Sequence, residues 1–190
     1  MKKMVWLTVI ALSACSANKY DNPHVLINTQ FGEIEVEVYP DKAPLTVQAF
    51  MKYVELEHYD QSTFYRVLKA DDVPENVNVG LIQGGIYKSG KSLQLQGTSH
   101  ETTRRSGLTH TDGTVSMART EPGTATTEFF ICIGDQSPLD SGRRGTPDGL
   151  GMAAFGKVFK GMDVVRRIQA QDNNGDAFKN DITIKNIKKL

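Results

Sequence analysis

One short segment of the 190-residue chain alternates strictly between apolar and acidic side chains. In Glu33–Val38, one isoleucine and two valines face one way, while three glutamates face the other. A period of two predicts a half-buried strand with one face in the core and an acidic face in solvent. The preceding segment, His24–Thr29, is also a strand candidate, and Gly32 in the connecting turn is free to adopt a positive φ. The two segments therefore predict a β-hairpin.

Further segments rich in β-branched and aromatic residues follow the hairpin. The predicted strands are 63–68, 79–83, 114–118, 128–133, 155–159 and 182–187. Apolar residues at i, i+3, i+4 and i+7 predict one helix from Pro44 to about Glu57, and a second is predicted from Gly161 to Ala170. Because the strands do not alternate with helices, a doubly wound parallel sheet is disfavoured. We expect a mainly β fold in one domain, residues 24–190: a closed barrel of about eight antiparallel strands capped by two α-helices.

The N-terminal residues have the layout of an export signal. Lys2 and Lys3 precede the short apolar stretch Met4–Leu12, and small residues follow it. The sequence Leu12-Ser13-Ala14-Cys15 resembles the lipobox of bacterial lipoproteins. That resemblance implies that residues 1–14 are a signal peptide and that Cys15 is lipidated after cleavage. The alternative is an ordinary signal peptide with a cysteine at this place by chance.

Residues 15–23 are short and polar, and we interpret them as a tether between the lipid anchor and the domain. The lipoprotein resemblance implies a location in the cell envelope, anchored to a membrane by lipid. Ser16 rather than Asp follows Cys15, which implies sorting to the outer membrane, facing the periplasm, if the source is Gram-negative.

Composition excludes several classes of function. Lys and Arg total 22 and Asp and Glu total 22, so nothing electrostatic favours nucleic acid as a partner. Two Cys and four scattered His lack metal-ligand spacing, and nucleotide-binding and nucleophile motifs are missing, so we expect no metal and no cofactor. We interpret Asp172–Asp176 as a solvated turn and Cys132 as a buried strand residue, and we expect a monomer.

One of the predicted strands contains an arginine. Alternation in Thr63–Val67 places Phe64 and Arg66 on one face, and Tyr65 with Val67 on the other. An arginine there is either a solvent-facing strand residue or structural ion pair, or a cation at the floor of a groove.

Several motifs, including the one around Arg66, resemble those of the cyclophilin family of peptidyl-prolyl isomerases. They occur in the family's order over residues 24–190: Phe64-Tyr65-Arg66-Val67 resembles F-H-R-V/I, Leu81-Ile82-Gln83-Gly84-Gly85 resembles F/M-x-Q-G-G, Gly113–Arg119 resembles G-x-I/L/V-S/A-M-A-R/N, Glu128-Phe129-Phe130-Ile131 resembles Q-F-F-I, and Phe155–Val165 resembles F-G-x-V followed by G-M-x-V-V/L. The family fold, an eight-stranded antiparallel barrel capped by two helices, is the architecture predicted above.

The resemblance implies rotation about X–Pro bonds of proline-containing polypeptides. Arg66 would be catalytic, as the donor to the prolyl nitrogen in the twisted transition state. The implied substrate-binding residues are Phe64, Leu81, Gln83, Ala118, Arg119, Thr120, Glu128, Phe130, Leu139 and Met152. Of these, Phe130 would form the floor of the proline pocket and Gln83 would bind substrate backbone.

The sequence departs from the family pattern at several groove positions. Glu128 stands where the family usually has Gln, so that it could pair with Arg66. Gly80 and Pro138 stand where aromatic residues are common, and Met152 where His or Tyr is common. The segment from Lys69 to Asn78 is longer than the usual link. We therefore expect an isomerase that assists the folding of exported envelope proteins, with a proline-binding module of little turnover as the alternative.

Overall fold

The computed structural model describes residues 20–69, 80–91, 93 and 95–190. The predicted signal peptide, Cys15 and all but the first residue of the long link after Leu68 lie outside the described residues. The strands are β1 (His24–Thr29), β2 (Gly32–Val38), β3 (Ser62–Lys69), β4 (Gly80–Gly85), β5 (Thr114–Met117), β6 (Phe129–Ile133), β7 (Ala153–Lys160), β8 (Asn173–Asn174) and β9 (Ala177–Lys189). The helices are α1 (Pro44–Glu55), α2 (Thr103–Ser106) and α3 (Met162–Gln169).

The strands close into an antiparallel barrel. Neighbours follow the order β1-β2-β7-β5-β6-β4-β3-β9, and pairing of β1 with β9 closes the ring. β8 pairs with β9 at the margin of the sheet and stands outside the ring. The predicted closed eight-stranded barrel is therefore confirmed. Ile34, Val36 and Val38 are fully buried, as the alternation predicts. The acidic face is not wholly in solvent as expected, because Glu35 is buried and its Oε1 lies 2.8 Å from His24 Nδ1.

Two helices complete the barrel core, as predicted. Proline is tolerated at the N-terminus of α1, since its missing N–H has no intrahelical partner there. Phe50 from α1 packs its ring 4.9 Å from Phe155 and 5.8 Å from Phe129. α3 buries Val164, Val165 and Ile168. Within the described ranges, no helix has the length and apolar character needed to cross a bilayer.

The four-residue α2 and a 3-10 turn at Ser137–Leu139 are additions to the predicted elements. α2 is too short for a helical apolar period to be visible in its sequence. It is capped instead, since Thr102 accepts from the Arg105 backbone N–H and Gly107 takes a left-handed conformation.

A β-bulge in β3 changes the predicted faces of that strand. Phe64 lies opposite Gly84, whereas Arg66 lies opposite Gln83, so Tyr65 is an extra residue in the ladder. A bulge shifts the alternation by one residue. Phe64 and Arg66 therefore lie on opposite faces, and the prediction that they share one is wrong.

The bulge turns Phe64 into the barrel. Its side chain is fully buried, with its ring 5.7 Å from that of Phe129. Phe64 does not line the groove described below, so its expected place among the substrate-binding residues is wrong. The physical reason is the inserted Tyr65, which the alternation rule cannot anticipate.

Candidate active site

A groove of about 550 Å³ lies across the outside of the barrel. Its walls come from β3, β4 and β6 and from the segments that follow β5 and precede β7. The lining residues are Tyr65, Arg66, Leu68, Leu81, Gln83, Ala118, Arg119, Thr120, Thr124, Thr126, Glu128, Phe130, Leu139, Gly145 and Met152. One end is apolar and the other is polar.

The apolar end is a small hydrophobic cluster separate from the barrel core. Leu81, Phe130 and Cys132 form its buried part, and partly buried side chains pack against them: Leu68, Ala118, Leu139 and Met152. Burial raises the pKa of the Cys132 thiol, because the thiolate would be desolvated. Cys132 therefore supports the cluster by packing and is not an activated nucleophile.

Gly80 and Leu68 explain one departure from the family pattern. Gly80 has φ +138°, and a Cβ there would collide with the carbonyl oxygen of Leu68. An aromatic side chain does not fit this backbone. Leu68, on the neighbouring strand, lines the apolar end of the groove instead.

A buried histidine supports the floor of the groove. The His110 ring stacks on that of Phe130, with centroids 5.9 Å apart. His110 Nδ1 lies 2.7 Å from Asp140 Oδ1, and Nε2 lies 3.0 Å from the Ser116 hydroxyl. Burial lowers the pKa of His110, although Asp140 opposes the shift. The neutral ring thus donates from Nδ1 to the carboxylate, and Nε2 accepts from Ser116.

The same contacts resemble a nucleophilic triad in their chemistry. Ser116 and His110 are both fully buried, however, and neither lines the groove. A nucleophile must reach the substrate. These residues hold Phe130 from behind rather than attack a substrate.

The polar end is organised around Arg66. Its Nε donates to Asp176 Oδ2 at 2.8 Å, and its Nη1 donates to Gln83 Oε1 at 3.1 Å. The N–H donors of a guanidinium lie in one plane, so two such bonds fix the direction of the side chain. Asp176 follows Gly175 in the tight turn between β8 and β9, in a segment that the sequence predicts only as a solvated turn. Arg66 lowers the pKa of the Asp176 carboxyl by this hydrogen bond.

Glu128 contacts Tyr65 and not Arg66. The Tyr65 hydroxyl donates to Glu128 Oε2 at 2.7 Å and accepts from Gln83 Nε2 at 2.8 Å. The direct pairing of Glu128 with Arg66, which the sequence left open, is not formed, because Tyr65 and Gln83 lie between the two side chains. Burial raises the pKa of Glu128, against the hydrogen bonds that favour its ionised form.

Arg119 shapes the opposite wall. Its guanidinium is almost fully buried and donates to both carboxylate oxygens of Asp148, at 2.7 and 3.0 Å, and to the Gly151 carbonyl at 2.6 Å. The bond to Arg119 holds the pKa of Asp148 well below its usual range. Since Met152 follows Gly151 directly, the ion pair fixes the segment that carries Met152 into the groove.

The groove thus brings together Arg66 and nine of the ten residues proposed to bind substrate, with Phe64 the exception. Sequence reasoning missed Tyr65, Leu68, Thr124, Thr126 and Gly145 as lining residues. Tyr65 had a signal, since it stands at the histidine of the family motif. The threonines lie in a polar loop without periodicity, so no local pattern indicated them. Across the described part of the chain, no group of three or more His, Cys, Asp or Glu side chains is placed to hold a metal ion.

Comparison with known proteins identifies the family. The family described as "Cyclophilin type peptidyl-prolyl cis-trans isomerase/CLD" matches residues 24–189. Peptidyl-prolyl cis-trans isomerase A of Dickeya dadantii is 35% identical over 178 residues, covering 92% of this chain and 87% of the relative. Peptidyl-prolyl cis-trans isomerase B of Escherichia coli is 34% identical over 170 residues, covering 86% and 97%.

Solved structures agree on the fold. A cyclophilin-type isomerase of Cryptosporidium parvum, determined in the presence of the dipeptide Ala-Pro, superposes with a TM-score of 0.69 at 21% identity, covering 87% of this chain and 97% of that one. The chain belongs to the cyclophilin-type peptidyl-prolyl cis-trans isomerases. These comparisons favour an enzyme over the alternative of a proline-binding module.

Proposed function

We propose that Arg66 catalyses the isomerisation by donating a hydrogen bond to the prolyl nitrogen of a bound polypeptide. Amide resonance creates a barrier of about 18–20 kcal/mol to rotation. In the twisted state the nitrogen becomes pyramidal and gains a lone pair that a donor can bind. A donor at that place stabilises the twisted state more than either planar state, which is what lowers a barrier.

The observation that carries this proposal is the way Arg66 is held. Two of the guanidinium's five N–H donors bind Asp176 and Gln83, and within the described residues the other three have no protein acceptor. The fixed guanidinium therefore presents free donors to the groove without reorganising when the substrate twists.

The apolar end of the groove supports binding of a proline ring. Phe130, Leu81, Leu139 and Met152 form a shallow apolar surface beside the polar end. The related Cryptosporidium parvum structure was determined with Ala-Pro, a dipeptide of the same chemistry. Residues 118–120 would pair with substrate backbone before the proline, as an added strand does.

We further propose that the substrates are exported proteins in the cell envelope and that the enzyme is a monomer on a lipid anchor. The support is the basic and apolar start of the chain followed by Leu12-Ser13-Ala14-Cys15. Ser16 supports the outer membrane, with the domain facing the periplasm. Palmitate labelling of the wild type that is lost in Cys15→Ala supports the anchor, and labelling that persists refutes it.

The catalytic proposal is tested by prolyl exchange in a model peptide. The full chain and its Arg66→Ala variant are compared, with Arg167→Ala as a matched control, since Arg167 is exposed on α3 and lines no part of the groove. Arg66→Ala should lower kcat/KM at least about tenfold, roughly 1.4 kcal/mol. An unchanged rate would remove Arg66 from the mechanism.

A further inference from the structure

We infer that Glu128 is a positioning residue, which sets the orientation of Arg66 through Tyr65 and Gln83. The inference rests on the proposed role of Arg66. It concerns a chain of three hydrogen bonds that runs along one wall of the groove, from the Glu128 carboxylate to the Arg66 guanidinium.

Glu128 accepts hydrogen bonds at both of its oxygens, as an ionised carboxylate does, and this end of the series fixes the direction of every bond in it. A carboxylate only accepts, so the single hydroxyl proton of Tyr65 must point to Glu128, 2.7 Å away. The Tyr65 oxygen is then an acceptor toward Gln83, and the group that faces it at 2.8 Å must be the Nε2 amide nitrogen. The other end of the same amide, Oε1, consequently faces the Arg66 Nη1 at 3.1 Å.

Glu128 itself is held in place. Its Oε1 accepts from the Tyr87 backbone N–H at 3.1 Å and from the Thr127 hydroxyl at 3.2 Å. Gly85 packs so close that a Cβ there would collide with the carboxylate. The start of the chain is therefore fixed by three donors and by a backbone without a side chain.

A neutral amide at position 128 removes the constraint. Glutamine offers either its carbonyl oxygen or its NH2 group to the Tyr65 hydroxyl. In the first arrangement the hydroxyl proton points toward the side chain at position 128, and in the second it points toward Gln83. In the second arrangement the Gln83 amide turns over and its NH2 group faces the guanidinium, where two sets of donors meet. Arg66 then loses one of its two fixed contacts, and only Asp176 still orients it.

The effect falls on turnover more than on binding. By the proposed mechanism, the bond from Arg66 to the prolyl nitrogen strengthens only in the twisted state, so loss of its orientation lowers kcat. The surface of Phe130, Leu81 and Leu139 that holds the ring is not part of the chain. Gln83 and Glu128 also line the groove, so KM should change, but by less than kcat.

The test uses the full chain in a prolyl exchange assay that separates kcat from KM. The variants are Glu128→Gln, Tyr65→Phe and the double substitution, with Glu121→Gln as the matched control on an exposed carboxyl group that lines no part of the groove. Each single variant should lower kcat about three- to tenfold, as expected for loss of one hydrogen bond, with KM within about twofold. The double variant should be no slower than the slower single variant, because both substitutions interrupt the same series of hydrogen bonds.

Two results would overturn the inference in an active enzyme: a kcat unchanged in both single variants, or a double variant whose loss is the product of the single losses. A wild type without turnover would instead refute the proposed function. The side-chain amide signals of Gln83 by NMR still decide in that case. These signals should shift in Glu128→Gln and in Tyr65→Phe, which retains the aromatic ring, and should stay unchanged in Glu121→Gln. Signals that do not move in either groove variant would refute the series of hydrogen bonds from Glu128 to Arg66.

Discussion

Asp176 accepts a 2.8 Å hydrogen bond from the Nε of Arg66, although 110 residues separate the two in the sequence. The bulge in β3 and the short turn between β8 and β9 bring them together, and the Asp176 backbone carbonyl also accepts from the Val67 N–H at 2.8 Å. Both side chains are substantially exposed, with 40% of Arg66 and 57% of Asp176 accessible. An exposed pair of this kind contributes little to stability, because water screens it. Its consequence is therefore the orientation of Arg66.

Asp176→Ala should lower kcat/KM about three- to tenfold, the size expected for one lost charge-assisted hydrogen bond. The free energy of unfolding should hardly change, because the pair is exposed to solvent. Asp172→Ala is the control, because Asp172 pairs with Lys179 at 3.3 Å beside the same turn but does not reach the groove. Equal activity in the two variants would contradict an orienting role for Asp176.

Arg66→Lys should be nearly as slow as Arg66→Ala in the same assay. Lysine keeps the positive charge, but its single ammonium cannot bind Asp176 and Gln83 in one plane and still direct a donor into the groove. The measurement thus separates charge from geometry. A lysine variant close to wild type would show that a cation alone suffices.

The barrel was predictable because its signals are local and repeated. Strict alternation in Glu33–Val38 and the apolar spacing within α1 and α3 each reflect burial of one face, which every such element must satisfy. The groove residues were predictable by motif, since Gln83 and Phe130 sit in segments of recognisable order. Their positions in the family pattern indicated that both residues belong to the groove, which the apolar pattern of one strand alone does not indicate.

What the sequence missed arises from contacts between distant segments. The bulge at Tyr65 depends on pairing with both β4 and β9, so alternation within β3 placed Phe64 wrongly. Asp176 looked like an ordinary turn residue because its partner lies on another strand. The sequence left a direct contact between Glu128 and Arg66 open, and only the register of β3 against β4 shows that Tyr65 and Gln83 lie between them.

Gly80→Ala should destabilise the protein far more than Gly90→Ala. Both glycines have positive φ, +138° and +71°, but a Cβ at Gly80 would collide with the Leu68 carbonyl, whereas Gly90 has open space around it. We expect a loss of about 1–3 kcal/mol from backbone strain at either site, with the collision adding to it only at Gly80. Urea unfolding of the two variants measures the difference, and equal losses would contradict the close approach.

Stability should fall with acid through His110. Burial holds the folded pKa of His110 below its ordinary value, while the unfolded chain returns to about 6.5. The stability that its neutral form contributes is present above about pH 6.5 and is lost as the pH falls below that value, because the unfolded chain takes up a proton that the folded protein excludes. Urea unfolding at about pH 7.5 and 5.5 should show a smaller acid loss in His110→Gln than in the wild type. His100→Gln is the comparison at a less buried histidine whose pKa is also lowered by burial. An acid loss that His110→Gln leaves unchanged would show that His110 is not the group responsible.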